Sequence, residues 1–201
     1  SAPAVLVCSS KLPVKTVQEL IKLAKERPGK MNYASSGVGT TPHLAGELFK
    51  SRFGLDITHI AYKGAAPALT DTISGVTDFG FKTALSAIPS IQAGQLTPLA
   101  VASSQRLSML PNVPTMAEVG IADFEITSWN GLFAPAGTPR DIIDRLSAAC
   151  ASVAKMKDVQ KTFAAQAAVV TSSTPEEFKK FVAAEIKMWG DVVRLTGASA
   201  N

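Results

Sequence analysis

Thr40, Thr41 and His43 stand just behind a loop of small residues, Ser35-Ser36-Gly37-Val38-Gly39, and the chemistry this arrangement offers is the seating of an anion. A strand-like run, Met31 to Ala34, enters the loop, and Pro42 helps open a helix on its far side. Backbone N–H groups at a helix start have no partner within the helix. Together with the threonine hydroxyls they attract a carboxylate as well as a phosphate. The same residues also suit a plain tight turn. The known phosphate cradles do not fit. A P-loop needs a lysine after its last glycine, whereas Gly37 and Gly39 are too close together and no lysine follows. A dinucleotide fingerprint needs a third glycine where Pro42 stands, and the only acid near its expected place is Asp56, 17 residues after Gly39. His43 could line the mouth of the loop, pack, or cap its own helix.

A second stretch, "AYKGAAPALTD", repeats the plan: Tyr62 and Lys63 end a strand, and Gly64, Ala65 and Ala66 open a helix. In a parallel sheet both loops leave from the carboxyl ends of strands, so both can face one crevice. Catalytic constellations are missing. There is no G-x-S-x-G, no H-E-x-x-H and no metal-spaced cluster, and Asp71 and Asp78, on either side of Gly75, have no evident carboxylate partner for acid/base work. No metal or cofactor is expected. Two anion seats without catalytic groups describe a receptor for a carboxylate better than a catalyst. The alternatives are an α/β enzyme that uses His43 and a cysteine on a small carboxylate, and a ligand-sensing subunit of a signalling system.

The elements that must hold these loops alternate. An apolar run at 4–8 reads as a buried strand, and a helix follows with Thr16 as N-cap and Glu19 closing its capping box. Strands at 31–35, 55–62, 76–81 and 96–103 then alternate with helices of about ten residues, each closed by a glycine, which means βαβ units and a mostly parallel sheet. After residue 103 the chain turns Pro-rich, with one short helix at 115–119, and an extended run at 125–135 follows. From Thr138 it is nearly all helical: 139–154, 156–167, a short strand at 168–170, and a last helix from Pro175 capped by Thr174 and Glu177. Phe178, Phe181, Val182, Ile186, Trp189 and Val193 stripe that helix and read as core. The net charge of +4 is scattered, with no basic block and few aromatics for stacking, so nucleic acid is not an expected partner. Cys8 and Cys150 read either as two small apolar side chains or as a disulfide in an exported protein. No apolar run reaches the roughly 20 residues of a membrane span. The chain opens on "SAPAVLVCSS", a strand start rather than a leader, so any export signal is expected to have been removed.

The stretches "LPVKTVQELIKLAKERPGKMNYASSGVGTTPHLAGELF", "HIAYKGAAPALTD", "LPNVPTMAEVG", "SWNGLFAPAGTP" and "TPEEFKKFVAAEIKMWGDVV" resemble, nearly end to end and in the same order, the Bug family of periplasmic solute-binding receptors of tripartite tricarboxylate transporters. The resemblance implies an α/β, periplasmic-binding-protein-like fold (a Venus flytrap), a parallel-rich sheet flanked by helices, and a second, incomplete, mostly helical domain. It implies crossing strands at 1–9 and 126–137, a ligand-binding domain at 10–125, and the C-terminal part of the other domain at 138–201. It also implies a periplasmic protein that is not an enzyme. Such a protein holds a small organic anion (a mono-, di- or tricarboxylate or an amino acid) through backbone amides and hydroxyls, and delivers it to the membrane components of a transporter. Carried onto this sequence, the ligand-facing positions are Ser35, Gly37, Gly39, Thr40, His43, Ala65, Ala66 and Ser128, with Trp129 near the hinge. Family members commonly begin with a longer N-terminal stretch. The chain therefore reads as a fragment, a processed product or a truncation whose residues 138–201 leave an apolar face uncovered, which favours a dimer or domain exchange. Where the family often carries an acid, this chain has Lys82, which either reaches the cleft and favours an anionic group or points to solvent.

Overall fold

The apolar run near the start of the chain becomes an inner strand of the sheet. In the computed structural model, which describes residues 1–165 and 167–198, the first half of the chain runs β1 (Ala2–Ser9), α1 (Val17–Glu26), β2 (Met31–Ser35), α2 (Thr41–Phe53), β3 (Ile57–Ala61), α3 (Ala65–Ser74), β4 (Phe79–Thr83), α4 (Ala84–Gln92) and β5 (Leu96–Val101). The second half adds a two-residue strand, β6 (Thr127–Ser128), and three helices, α5 (Arg140–Ala154), α6 (Lys157–Ala164) and α7 (Pro175–Thr196). The sheet order is β3-β2-β4-β1-β5. β2 pairs in parallel with β3 and β4, whereas β1 is antiparallel to both β4 and β5. The βαβ pattern thus holds for β2 to β5, which share one direction. The sheet is nevertheless mixed, because β1 is inserted against that direction between β4 and β5. β1 also pairs with β6, Ala2 opposite Ser128 and Pro3 opposite Thr127.

The period of two along β1 feeds two cores. Leu6 and Cys8 join Leu20, Tyr33, Phe49, Phe79, Phe81 and Phe124 on one face. Val5 and Val7 join Ala84, Ala87, Ile88, Leu96 and Val101 on the other. α1 starts as expected: Glu19 N donates to Thr16 Oγ1 (3.1 Å) and Thr16 N to Glu19 Oε2 (3.1 Å), while Val17, Leu20 and Ala24 are buried.

The second half departs from its pattern. The short helix expected at 115–119 is a single hydrogen-bonded turn. Thr115 N donates to Glu118 Oε2 (2.7 Å) and Glu118 N to Thr115 Oγ1 (3.1 Å), but Gly120 in the left-handed region stops it before a second turn forms. The segment 168–170 is not a ladder strand, although the Ser1 and Val169 main chains exchange two 2.8 Å hydrogen bonds. The helix expected over 156–167 is Lys157–Ala164, and residue 166 lies outside the described residues. The stripe on α7 is not core: Ile186 is 69% exposed and Phe181 43% exposed, while Val192 and Trp189 face the body. The reason is the lack of a second layer. Among the described residues, 138–198 add helices but no strand, so only one side of α7 finds a partner, and Leu132, Phe133, Leu146 and Phe163 also stay exposed. Cys8 is buried, Cys150 is exposed, and both are free thiols.

α2 lies very close to β2 at Gly46, where a Cβ would come within 2.1 Å of the buried Tyr33 ring. Gly46→Ala is therefore expected to destabilise the fold by about 1–3 kcal/mol, despite the gain in helix propensity, because the core is overfilled there. Urea unfolding checks this, and a variant as stable as the parent would contradict the packing described.

Candidate functional site

β2, β4 and β3 are neighbours in the sheet and share one direction, so α2, α3 and α4 all begin at one edge. The two loops meet there: Gly64 N donates to Ser36 O (3.1 Å) and Tyr62 N to Ser35 O (3.1 Å). A cavity of about 220 Å³ opens between the helix starts. Ser36, Thr40, Thr41 and Pro42 line it from the first loop, and Ala65 and Ala68 from α3. Phe81, Lys82, Thr83 and Ser86 line it from the β4–α4 junction, and Ser128 from β6. It is smaller than the sites that hold drug-sized ligands, so it suits a small solute.

The first turns of these helices leave N–H groups without intrahelical partners. α1 and α7, which start elsewhere, both close their N-termini with capping boxes. α2, α3 and α4 have no side-chain cap at Thr40, Gly64 or Thr83. Thr40 Oγ1 instead donates to Gly37 O at 2.6 Å, and Thr83 Oγ1 to Ser86 Oγ at 3.0 Å. Three uncapped helix starts around one cavity create a positive field from neutral groups.

The residues singled out in the sequence divide into two sets. Thr40, Ala65 and Ser128 line the cavity. Ala66 is in the first turn of α3 beside it. Ser35, Gly37, Gly39 and His43 do not line the cavity; they brace the loop from behind. Ser35 is fully buried, with Oγ 2.6 Å from His59 Nε2, donating to Gly37 O (3.1 Å) and accepting from Gly37 N (3.2 Å). Gly39 N donates to His43 Nδ1 at 3.1 Å, which leaves the ring proton of neutral His43 on Nε2. The glycine amides are thus spent inside the protein, and the donors left are those of the helix starts. Trp129 turns away as well, donating from Nε1 to Glu185 Oε2 (2.8 Å) and packing on Phe178 and Phe181.

Below the loop the rings form a column. His43 stacks on His59 at 4.1 Å and Tyr33 on His59 at 4.9 Å, and Tyr33 OH donates to Glu47 Oε1 (2.7 Å). Burial, and then the neighbouring His43, push His59 down to about 4, and burial also lowers His43, so both rings are neutral near pH 7.

The β4–α4 junction was not legible in advance as part of the site. It carries no glycine signal: Thr83 passes straight from strand to helix, and Ser86 follows one turn on. Lys82, for which the sequence allowed either direction, is buried and borders the cavity. Its Nζ donates to Ala34 O (3.3 Å) and Ala68 O (3.2 Å), and burial lowers it to about 8.

Residues 1–198 match the TctC family, described as tripartite tricarboxylate transporter family receptor. Protein BugT of Bordetella pertussis is 39% identical over 196 residues, 98% of this chain and 60% of that protein. The solved structure of R. palustris Rpa4515 with adipate has a TM-score of 0.90 at 33% identity, covering 98% of this chain and 66% of that one. MatC (Rpa3494) from Rhodopseudomonas palustris with bound malate has a TM-score of 0.83 at 29% identity, with 96% and 66% covered. The chain spans less than two thirds of the length of each of these three relatives.

Between the ordinary histidine value of 6.5 and the folded value near 4, the unfolded chain binds a proton on His59 that the folded chain excludes. Stability is therefore expected to fall as pH drops through that window. His59→Gln should flatten the dependence in urea unfolding at a series of pH values, and parallel profiles for the two proteins would contradict the neutral ring column.

Proposed function

The chain belongs to the tripartite tricarboxylate transporter family of receptors, and from that premise we propose that it is the ligand-binding part of a periplasmic protein that captures a small carboxylate-bearing solute and delivers it to membrane components of the transporter. The observation that carries this reading is the convergence of three uncapped helix starts on one small cavity. A carboxylate placed there accepts hydrogen bonds from first-turn N–H groups and from the hydroxyls of Ser36, Thr41 and Ser128, and needs no dedicated cation. The structures of relatives with adipate and malate support a carboxylate as the guest.

Capture without chemistry fits the side chains. The enzyme alternative needs His43 as a base, but its Nδ1 accepts from Gly39 N and its ring is stacked on His59. Cys8 is buried in the core and burial raises its thiol to about 11, which makes it a poor nucleophile. Residues 1–9 and 126–137 serve as crossing strands, a role supported by the pairing of Ala2 with Ser128 and Pro3 with Thr127. The ligand-binding domain is then 10–125, and 138–201 is the helical part of the other domain. Closure of the two around the guest is favoured by whatever contacts the guest makes only in the closed state.

Titration calorimetry of the full-length protein against mono-, di- and tricarboxylates and amino acids tests the reading. Binding of at least one carboxylate is expected, and silence across the panel would remove it. Ala65→Asp places a carboxylate at the first position of α3, where helix dipole and free N–H groups tolerate it. It should cut affinity by at least about tenfold, or about 1.4 kcal/mol, by occupying the seat, with folding intact.

A further inference from the structure

Lys82 holds a charge where a charge is costly. It is only 5% exposed, and among the described residues its ammonium forms no ion pair. Two of its three N–H groups go to the Ala34 and Ala68 carbonyls and the third has no protein acceptor. Buried lysines are normally paired with an opposite charge. The sequence also makes room for this one. Gly80 lies two residues earlier on the same face of β4, and a Cβ there would stand 2.7 Å from Ala34 O and 3.1 Å from Lys82 Nζ. A glycine inside a strand marks such a close approach. Lys82 and the three helix starts border the same cavity.

We propose that Lys82 is a specificity-determining residue: its ammonium pairs with one carboxylate of the guest while the helix starts hold another, so the cavity prefers a dianion to a monoanion of similar length. This rests on the carboxylate-capture reading above and adds a charge-reading residue to it.

A consequence is proton-linked capture. The elements packed around Lys82 bring no other titrating group against it. β2 and α3 present carbonyls, β1 sets Val5 opposite it, and α4 contains no ionisable side chain. The ionisable groups of those elements are engaged elsewhere: Tyr33 OH on Glu47, Asp71 on Tyr62 OH (2.6 Å), Asp78 on Asn32 N (2.7 Å) at the far end of β4, and Cys8 in the opposite core, while α2, which also packs on β4, has His43 on Gly39 N, Glu47 on Tyr33 OH and Lys50, and Arg52 on Asp123 O. Burial brings Lys82 to about 8 in the free protein, and a carboxylate beside it raises that value in the complex. Binding above pH 8 therefore takes up a proton, and affinity for a dianion declines as pH rises further.

The test is calorimetry of the full-length protein and its Lys82→Gln and Lys82→Arg variants with succinate and with butyrate. Lys82→Gln should lose at least tenfold in affinity for succinate and less than threefold for butyrate, and Lys82→Arg should keep most of the preference. Succinate binding to the parent at pH 8.5 should have an enthalpy that varies with the ionisation enthalpy of the buffer, as proton uptake requires. If the parent binds succinate but Lys82→Gln keeps the same succinate-to-butyrate ratio, the role of Lys82 falls while capture stands. A parent that binds no carboxylate overturns both. Should Lys82→Gln fail to fold, a parent that binds butyrate as tightly as succinate is enough to overturn the proposal.

Discussion

α2, α3 and α4 begin at one sheet edge, and none of the three has a side chain to satisfy the donors of its first turn. Unsatisfied N–H groups at a helix start retain their partial positive charge. Collecting three such starts around a cavity of about 220 Å³ is a directional constraint, since it requires β2, β3 and β4 to share a direction and lie side by side. α1 and α7 close their starts with capping boxes, and α5 and α6 begin uncapped away from the cavity, so what sets α2, α3 and α4 apart is that their three open starts converge on one place. In the proposed capture, an anion in the cavity does for α2, α3 and α4 what Thr16 and Thr174 do for α1 and α7.

The glycine loop serves this arrangement indirectly. Ser35, Gly37, Gly39 and His43 are bonded to one another and to His59, so the loop is held by contacts made behind it. That bracing fixes where α2 begins. It works only while the two stacked imidazoles stay neutral, since protonating both would set like charges about 4 Å apart. On the proposed reading, recognition by the main chain in front and support by side chains behind accounts for a cavity wall that carries small residues such as Ala65 and Ser128 instead of a conspicuous charged set. Lys82 is the exception, and it sits near the carboxyl end of β4, bonded to the backbone of two neighbouring elements.

Much of this was readable in the sequence, and the failures have physical causes. The alternation of apolar runs with capped helices gave the βαβ order, and the resemblance of five long stretches to a receptor family gave the fold. The direction of β1 was not legible, because an apolar run says that a strand is buried but not which neighbours it lies between. The family resemblance placed Ser35 and His43 among the ligand-facing positions, and the residues themselves left His43 open, because polar side chains near a helix start suit either side of a loop. Their bonding to His59 and Gly39 depends on a strand pairing that places residue 59 beside residue 33. Lys82 was undecided because the period of two tells which residues share a face and not which face is the wet one. The stripe on α7 was periodic but lacks a covering layer among the described residues, and periodicity by itself cannot supply one.

Backbone amide chemical shifts, followed by NMR as a carboxylate is titrated into the isotope-labelled full-length protein, test the central claim most directly. The largest changes should fall on the amides that open α2, α3 and α4, namely Thr41, His43, Ala65, Ala66 and Ala84, while Gly37 and Gly39, already bonded within the protein, move little. Large shifts confined to the two glycines, or to residues of α7, would contradict an anion held by helix starts.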